Sequence, residues 1–295
     1  MRADSKFSSF FEAGHFHSPL PDMADVENTP KNQFGYFYKQ TYPHLKSNIR
    51  SIPGIELNTN KQLSLMQQLS QYSDPSNFPE KKCEGWRYFS ENNYFTCGDA
   101  TVLHALIRHF KPKNIIEAGS GYSSALMLDT QDKFLDYKVN FTFIEPYQKY
   151  RLLKLLSVED SNSTSIIEKK VQDVDLSLFD SLERDDILFI DSSHVAKFGS
   201  DVCHILFNIL PRLNPGVIVH FHDILWPFEY PKEWLKMGWA WNEAYVLRSF
   251  LQYNNTFNIL YFNSYLANTH IQHVEEHMPT CLKDSGGSLW LVRAG

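Results

Sequence analysis

Residues 217–224 read VIVHFHDI, and the run changes character halfway. Val217, Ile218 and Val219 belong in a buried strand, yet the chain passes at once into His220, His222 and Asp223. A second apolar run, LFIDSSH, ends the same way and leaves Asp191 just ahead of His194. Imidazoles ionise near neutral pH and exchange protons readily, whereas paired carboxylates hold hard divalent ions through oxygen. Strand alternation puts His220 and His222 on one face and Phe221 on the other. His222, nearer the strand end, is the better site candidate, and His220 reads as a core histidine. Asp223 has a bland reading too, as an acceptor for amides of the loop that follows.

A third constellation, EAGSGYSS, spans residues 117–124. Gly119 and Gly121 permit a tight turn and a close backbone approach to a ligand, with Ser120 between them. Glu117 puts a carboxylate at the end of one strand. Glu145 ends the next, where a carboxylate accepts from ribose hydroxyls. Asp173, in VQDVD, stands where an adenine amino group could be received. A glycine turn alone is weak, since many strand-to-helix turns need glycine; acids after three successive strands strengthen it. The spacing G-S-G-Y-S-S departs from the dinucleotide pattern, with Ser124 in the third glycine position, and no Walker lysine follows.

These residues work only if the chain brings them together. From residue 98 strand-like and helix-like segments alternate: NIIEAGS, VNFTFIEP, SIIEKKVQD, DDILFID and GVIVHFHD as strands, then FNILYFN and SLWLVRA as a closing hairpin. Helical patterns lie between them, among them ATVLHALIRHF (capped by Asp99), YQKYRLLKLLS, GSDVCHILFNILPRL and AWNEAYVLRSFLQY. The alternation predicts an α/β fold, a doubly wound, mostly parallel seven-stranded Rossmann-like sheet, over residues 91–295. Residues 1–90 read as an irregular N-terminal cap, with a helix through Leu63, Met66 and Leu69. The aromatics Phe34, Tyr36, Phe37 and Tyr38 argue against a disordered tail. His15, His17 and Asp22 in this extension read either as part of a lid or as surface loop.

Composition narrows the partners. A net charge of −6 and the lack of a Lys/Arg run argue against nucleic acid. No run of about 18 apolar residues suggests a membrane span. The four cysteines are scattered without a CxxC pair, which disfavours structural zinc and a disulfide framework. No signal-peptide pattern opens the chain, so the sequons at Asn140, Asn162 and Asn254 read as chance matches and the expected location is cytoplasmic. A homo-oligomer is compatible with all of this.

The motifs IIEAGSGYSSALML, FIEP, VQDVD, ILFIDSSH and LNPGVIVHFHDI resemble the class I S-adenosylmethionine-dependent methyltransferases, over residues 95–295. The resemblance implies that Glu117, Gly119, Ser120 and Gly121 cradle the cofactor, that Glu145 binds its ribose and that Asp173 and Asp191 lie beside it. DSSH further resembles metal-dependent small-molecule and sugar O-methyltransferases. That likeness implies Asp191 as a metal ligand and His194 as general base, with S-adenosylmethionine and Mg²⁺ or Mn²⁺ as cofactors. His222-Asp223 stands where that group carries two acids. Asp191, His222 and Asp223 then bind a nitrogen-tolerant ion, or a carboxylate from elsewhere completes the set, or no metal binds.

The long segment 224–250, rich in tryptophan, should overhang the carboxyl edge of the sheet. Trp226, Tyr230, Asn242, Tyr245 and Arg248 are its candidate substrate contacts, together with Glu229 and Glu243. A small polyhydroxylated or phenolic acceptor fits such a pocket. The rivals are N-methylation without metal, a non-catalytic binding scaffold, and an iron oxygenase built on His220, His222 and Asp223. The intact glycine turn weighs against the scaffold. Adjacent residues 222 and 223 pointing to opposite faces weigh against the oxygenase.

Overall fold

A computed structural model describes residues 11–28, except residue 16, and residues 49–295. Phe34, Tyr36, Phe37 and Tyr38 lie outside the described residues. Seven strands form one sheet: β1 (Asn114–Ala118), β2 (Asn140–Ile144), β3 (Ser165–Ile167), β4 (Ile187–Ile190), β5 (Ile218–Phe221), β6 (Phe257–Phe262) and β7 (Leu289–Arg293). Their order is β3-β2-β1-β4-β5-β7-β6. The first five are parallel, and β7 runs antiparallel to both neighbours. β4 and β5 are buried at every position, as central parallel strands covered on both faces must be.

The main helices are α1 (Thr59–Leu69), α2 (Cys97–Phe110), α3 (Tyr122–Phe134), α4 (Glu243–Leu251) and α5 (Asn263–Thr269). α1 forms as the apolar spacing predicts, with Leu65, Met66 and Leu69 buried in the same core as the strands. Gln62 ties it to the sheet, its amide donating to Leu57 O at 2.5 Å while its carbonyl accepts from Phe262 N at 2.8 Å. Ahead of α2, Arg87 reaches Asp129 on α3 at 2.8 Å, Asp132 at 2.8 Å and Asp160 at 2.5 Å. Among the described residues no helix is long and apolar enough to cross a membrane.

Several elements differ from their sequence expectation. β3 stops at Ile167, because the exposed Glu168, Lys169 and Lys170 leave the sheet, and Asp173 falls in a 3-10 turn. The last two strands pair, but not as a simple hairpin: α5 and two further helices intervene, and β7 inserts between β5 and β6. The segment 201–212 breaks into α, π and 3-10 turns where Pro211 removes a backbone donor. In YQKYRLLKLLS only Leu152–Leu155 is helical. Thr96, not Asp99, occupies the N-cap of α2, and Asp99 turns inward.

Candidate active site

A cleft of about 890 Å³ opens at the carboxyl ends of β1, β2, β4 and β5. Its cofactor side begins at Gly119, which has φ +86°. A Cβ there would sit 1.7 Å from the Asp191 carbonyl oxygen, so β1 and β4 can close together only over glycine. A Cβ on Gly121 would meet Arg151 Cδ at 2.7 Å. Glu145 braces the turn from β2, accepting from Ser120 N at 3.2 Å and Tyr147 N at 2.7 Å while lining the cleft. The hydroxyl oxygens of Ser120 and Ser192, both residues of the cleft lining, are buried without a hydrogen-bond partner. Orphaned polar atoms at a glycine turn suit a polar cofactor that would satisfy them.

Two expected cofactor contacts lie elsewhere. Glu117 is fully buried behind the turn, accepting from Ser123 Oγ at 2.5 Å and from Ser124 Oγ. Burial pushes its pKa up to about 8 against the opposing serine bonds. Ser124 in turn accepts from Gly121 N at 2.9 Å, which explains a serine in the third glycine position: it fastens the turn from within. Asp173 is exposed and outside the cleft lining, since β3 ended too early to carry it there.

On the other side Asp191, His194, His222 and Asp223 converge. His194 Nε2 lies 3.4 Å from Asp191 Oδ1 and 3.5 Å from Asp223 Oδ2. His222 Nδ1 lies 3.5 and 3.7 Å from the same two oxygens. His194 and Asp223 hold left-handed backbone angles, φ +58° and +55°, which non-glycine residues adopt at some cost. That angle overturns the expectation that residues 222 and 223 must diverge: Asp223 lies beyond the end of β5 and swings back to the same cleft. His220 stays in the core, stacked on Phe189 at 3.7 Å, with Nε2 2.8 Å from Ser288 Oγ.

Each cluster histidine is backed by a buried acid. His194 Nδ1 donates to Glu243 Oε2 at 2.9 Å, and His222 Nε2 donates to Asp99 Oδ2 at 3.2 Å. Asp99 also accepts from Gly287 N, Ser288 N and Asn263 Nδ2 at 3.0–3.1 Å. A Cβ on Gly286 would fall 2.1 Å from the Asp99 carboxylate, so the DSGGS loop folds tightly round it. Burial alone would lower the His194 pKa, but Asp191, Glu243 and Asp223 together push it up to about 10. His222 is raised for the same reason, through Asp223 and Asp191. Asp191 is held below the usual carboxylate range, its burial outweighed by the two imidazoles, while burial raises Asp223 and Glu243.

Of the expected substrate contacts, none lines the cleft. Trp226 is fully buried against Phe262 and Tyr265, its Nε1 donating to Ile49 O at 3.3 Å. Tyr230 is buried and its hydroxyl accepts from Ala244 N at 3.0 Å. Asn242 brackets the Ala196 backbone. Tyr245 donates to Glu229, and Arg248 lines a separate cavity of about 260 Å³. These residues build the overhang; Trp234, Trp239 and Trp241 form its inner wall. Trp239 and Trp241 stack at 4.7 Å, and Trp241 lies 4.4 Å from the His194 ring. The opposite wall is Tyr94, stacked on Tyr122 at 5.7 Å and covered by Arg151 at 3.8 Å. His15, His17 and Asp22 are outside the cleft lining, and Asp22 caps a short helix through Ala24 N at 2.7 Å. Asp99 reads from sequence only as a helix cap, whereas it partners His222 across 123 positions. Glu243 could be singled out, but as a substrate contact and not as the partner of His194.

A parallel sheet of this order, with a glycine turn after β1 and an acid ending β2, defines the class I methyltransferase architecture. A family described as "Methyltransferase domain" matches residues 116–224, from within β1 to just past β5. An uncharacterized protein of Archaeoglobus fulgidus is 31% identical over 182 residues, covering 61% of this chain and 77% of its own. Among solved structures, the SAH-bound methyltransferase PaMTH1 of Podospora anserina has a TM-score of 0.45 at 14% identity, over 84% of this chain and 100% of that one. The O-methyltransferase TomG of Streptomyces achromogenes, involved in tomaymycin synthesis, has a TM-score of 0.43 at 13% identity, over 90% and 99%. The chain belongs to the class I S-adenosylmethionine-dependent methyltransferases.

Proposed function

We propose that the protein methylates a hydroxyl group of a small molecule, a sugar, phenol or comparable hydroxylated metabolite, with help from a divalent cation. The observation that supports it most is that Asp191, His194, His222 and Asp223 line the same cleft as the glycine turn, the ligand atoms of Asp191, His194 and Asp223 lying within 4.8 Å of one another. Hydroxyls have high pKa values, so an O-methyltransferase must weaken the O–H bond where an amine acceptor needs no such help. An acidic, histidine-bearing floor opposite the cofactor suits that demand. The tryptophan wall favours a ring, whose apolar face can lie on Trp239 and Trp241 while its hydroxyls point to the floor.

Gly119, Ser120 and Gly121 position the cofactor, and Glu145 accepts from its ribose hydroxyls. A cation held by Asp191, His222 and Asp223, Mg²⁺ or Mn²⁺ among the choices, would supply positive charge that lowers the pKa of an acceptor hydroxyl. The transfer is an in-line displacement: the O–C bond forms as the C–S bond breaks, sulfur keeps the bonding pair, and the acceptor proton passes to the floor cluster. His194 takes part through Nε2, the nitrogen not tied to Glu243. The test is methyl transfer from labelled S-adenosylmethionine to a panel of hydroxylated rings and matched amines. His194→Ala should keep cofactor binding and lose roughly 10²- to 10⁴-fold in turnover. Transfer to amines alone would overturn the reading.

A further inference from the structure

Arg151 ends the loop after β2, and its side chain turns back across the glycine turn. A Cβ on Gly121 would lie 2.7 Å from Arg151 Cδ, 3.5 Å from Cγ and 3.6 Å from Nη1, so the aliphatic stem rests against the bare backbone of that glycine. The guanidinium carbon then lies 3.8 Å from the centre of the Tyr94 ring. Tyr94 is steadied in turn by Tyr122, the first residue of α3, whose ring stands edge-on to Phe89 at 5.5 Å. An exposed arginine is thus held from two sides, by the glycine turn and by the segment before α2. Arg87 and Arg212 both grip aspartates, whereas among the described residues the guanidinium of Arg151 has neither an ion pair nor a hydrogen bond. Arg151, Tyr94, Gly119, Gly121 and Glu145 all line the same cleft.

A guanidinium engages a ring by its face, which leaves its N–H edge for a planar acceptor with two oxygens. The surroundings say which anion belongs there. Glu145 stands just past β2 for the ribose, and the glycine turn carries the remainder of the cofactor. Adenosine is uncharged, so the α-carboxylate of the methionine portion is the cofactor's one anionic group. The floor carboxylates lie beyond β4 and β5 and disfavour an anion on that side, whereas Arg151 follows β2. Lys154 lines the cleft too, but a flexible ammonium adds charge without direction. We infer that Arg151 clamps the α-carboxylate of S-adenosylmethionine, with Tyr94 as the positioning residue that holds its guanidinium. The inference rests on the cofactor occupying this cleft and is independent of the acceptor and of any cation. Its consequence is selectivity: adenosine derivatives without an amino-acid end are held less tightly.

The experiment is calorimetric titration of the full-length protein with S-adenosylhomocysteine and with methylthioadenosine, which keeps the adenosine and the sulfur but has no carboxylate. Wild type should bind S-adenosylhomocysteine the tighter of the two. Arg151→Gln should weaken S-adenosylhomocysteine about 10-fold or more and leave methylthioadenosine unchanged, and Arg151→Lys should recover only part of the loss. The gap between wild type and Arg151→Gln should narrow as salt is raised, because the guanidinium is exposed. Tyr94→Leu should weaken S-adenosylhomocysteine about 3-fold or more, with no further loss when it is added to Arg151→Gln. Methylthioadenosine binding also reports that each variant is folded. Equal loss of both ligands in Arg151→Gln would mean that the side chain only shapes the turn, and overturns the inference. Unchanged S-adenosylhomocysteine affinity overturns it too, and turns the guanidinium over to an anionic acceptor. A wild type that binds neither ligand overturns the inference together with the cofactor's place in the cleft. The full binding pattern without transfer to any hydroxyl would sink the proposed reaction and leave the clamp.

Discussion

Gly119 concentrates the logic of the cofactor side into one missing methyl group. Its left-handed φ disfavours any side chain, and its Cβ position collides with the backbone of Asp191 and not with a movable side chain. Relief therefore requires β1 and β4 to separate at the ends that carry the two halves of the site. Gly119→Ala should lower stability by about 2 kcal/mol or more, the left-handed backbone alone accounting for roughly 1–2. It should also weaken the binding of S-adenosylmethionine and of a divalent cation together, because Asp191 moves with its carbonyl. Calorimetric titration of both ligands checks this, and loss of one without the other would mean that the two halves are not mechanically joined. Asp191 itself shows how residue chemistry and backbone position cooperate here: its main chain closes the turn while its carboxylate belongs to the floor.

At the scale of elements, Arg87 holds the segment before α2 against α3. Its guanidinium spans three carboxylates, and Asp129 also accepts from the backbone of Arg87 and Tyr88 at 2.9 and 2.8 Å. Asp129 is fully buried, so Arg87→Ala strands its charge and should cost on the order of 3 kcal/mol in a denaturant titration. Arg87→Lys should recover little, since a single ammonium cannot span Asp129, Asp132 and Asp160. An Arg87→Lys variant as stable as wild type would show that net charge and not geometry holds the segment. The same scale explains what could be read from sequence. β1, β2, β4 and β5 announce themselves as β-branched or aromatic runs ending in acids and histidines, and those ends fix Gly119, Glu145, Asp191, His194 and His222. Asp173 was misplaced because SIIEKKVQD has no signal for where an edge strand lets go. Trp226, Tyr230 and Tyr245 were misplaced because a long loop hides which of its aromatics face in. Asp99 and Glu243 were beyond reach as partners, because only the tertiary fold brings α2 and α4 to the same floor.

For the whole molecule, the segment before α2, α2 itself and α3 meet at His104, and that joint makes stability depend on pH. His104 is fully buried, its Nδ1 2.9 Å from Thr130 Oγ1 and its ring edge-on to Phe78 and Phe134 at 4.9 and 4.7 Å. Nε2 faces two donors, Asn77 Nδ2 at 3.4 Å and Arg108 Nη1 at 3.3 Å, so it must accept, and the ring is neutral. Burial, aided by the Arg108 charge, depresses its pKa to about 3. Below the unfolded value of about 6.5 the unfolded chain takes up a proton that the native state refuses until pH falls to about 3. The stability that neutral His104 supplies is therefore complete above pH 6.5 and declines as pH falls toward 3, by up to about 1.4 kcal/mol per pH unit. Other buried groups, Glu117 and Asp129 among them, have raised pKa values and oppose this slope, so the informative quantity is the difference between variants. Between pH 7 and pH 5, His104→Gln should lose less stability than wild type, by about 1–2 kcal/mol, even if it starts lower at pH 7. Parallel pH profiles for the two proteins would mean that His104 is protonated in the native state, and that the joint opens far enough to admit the charge.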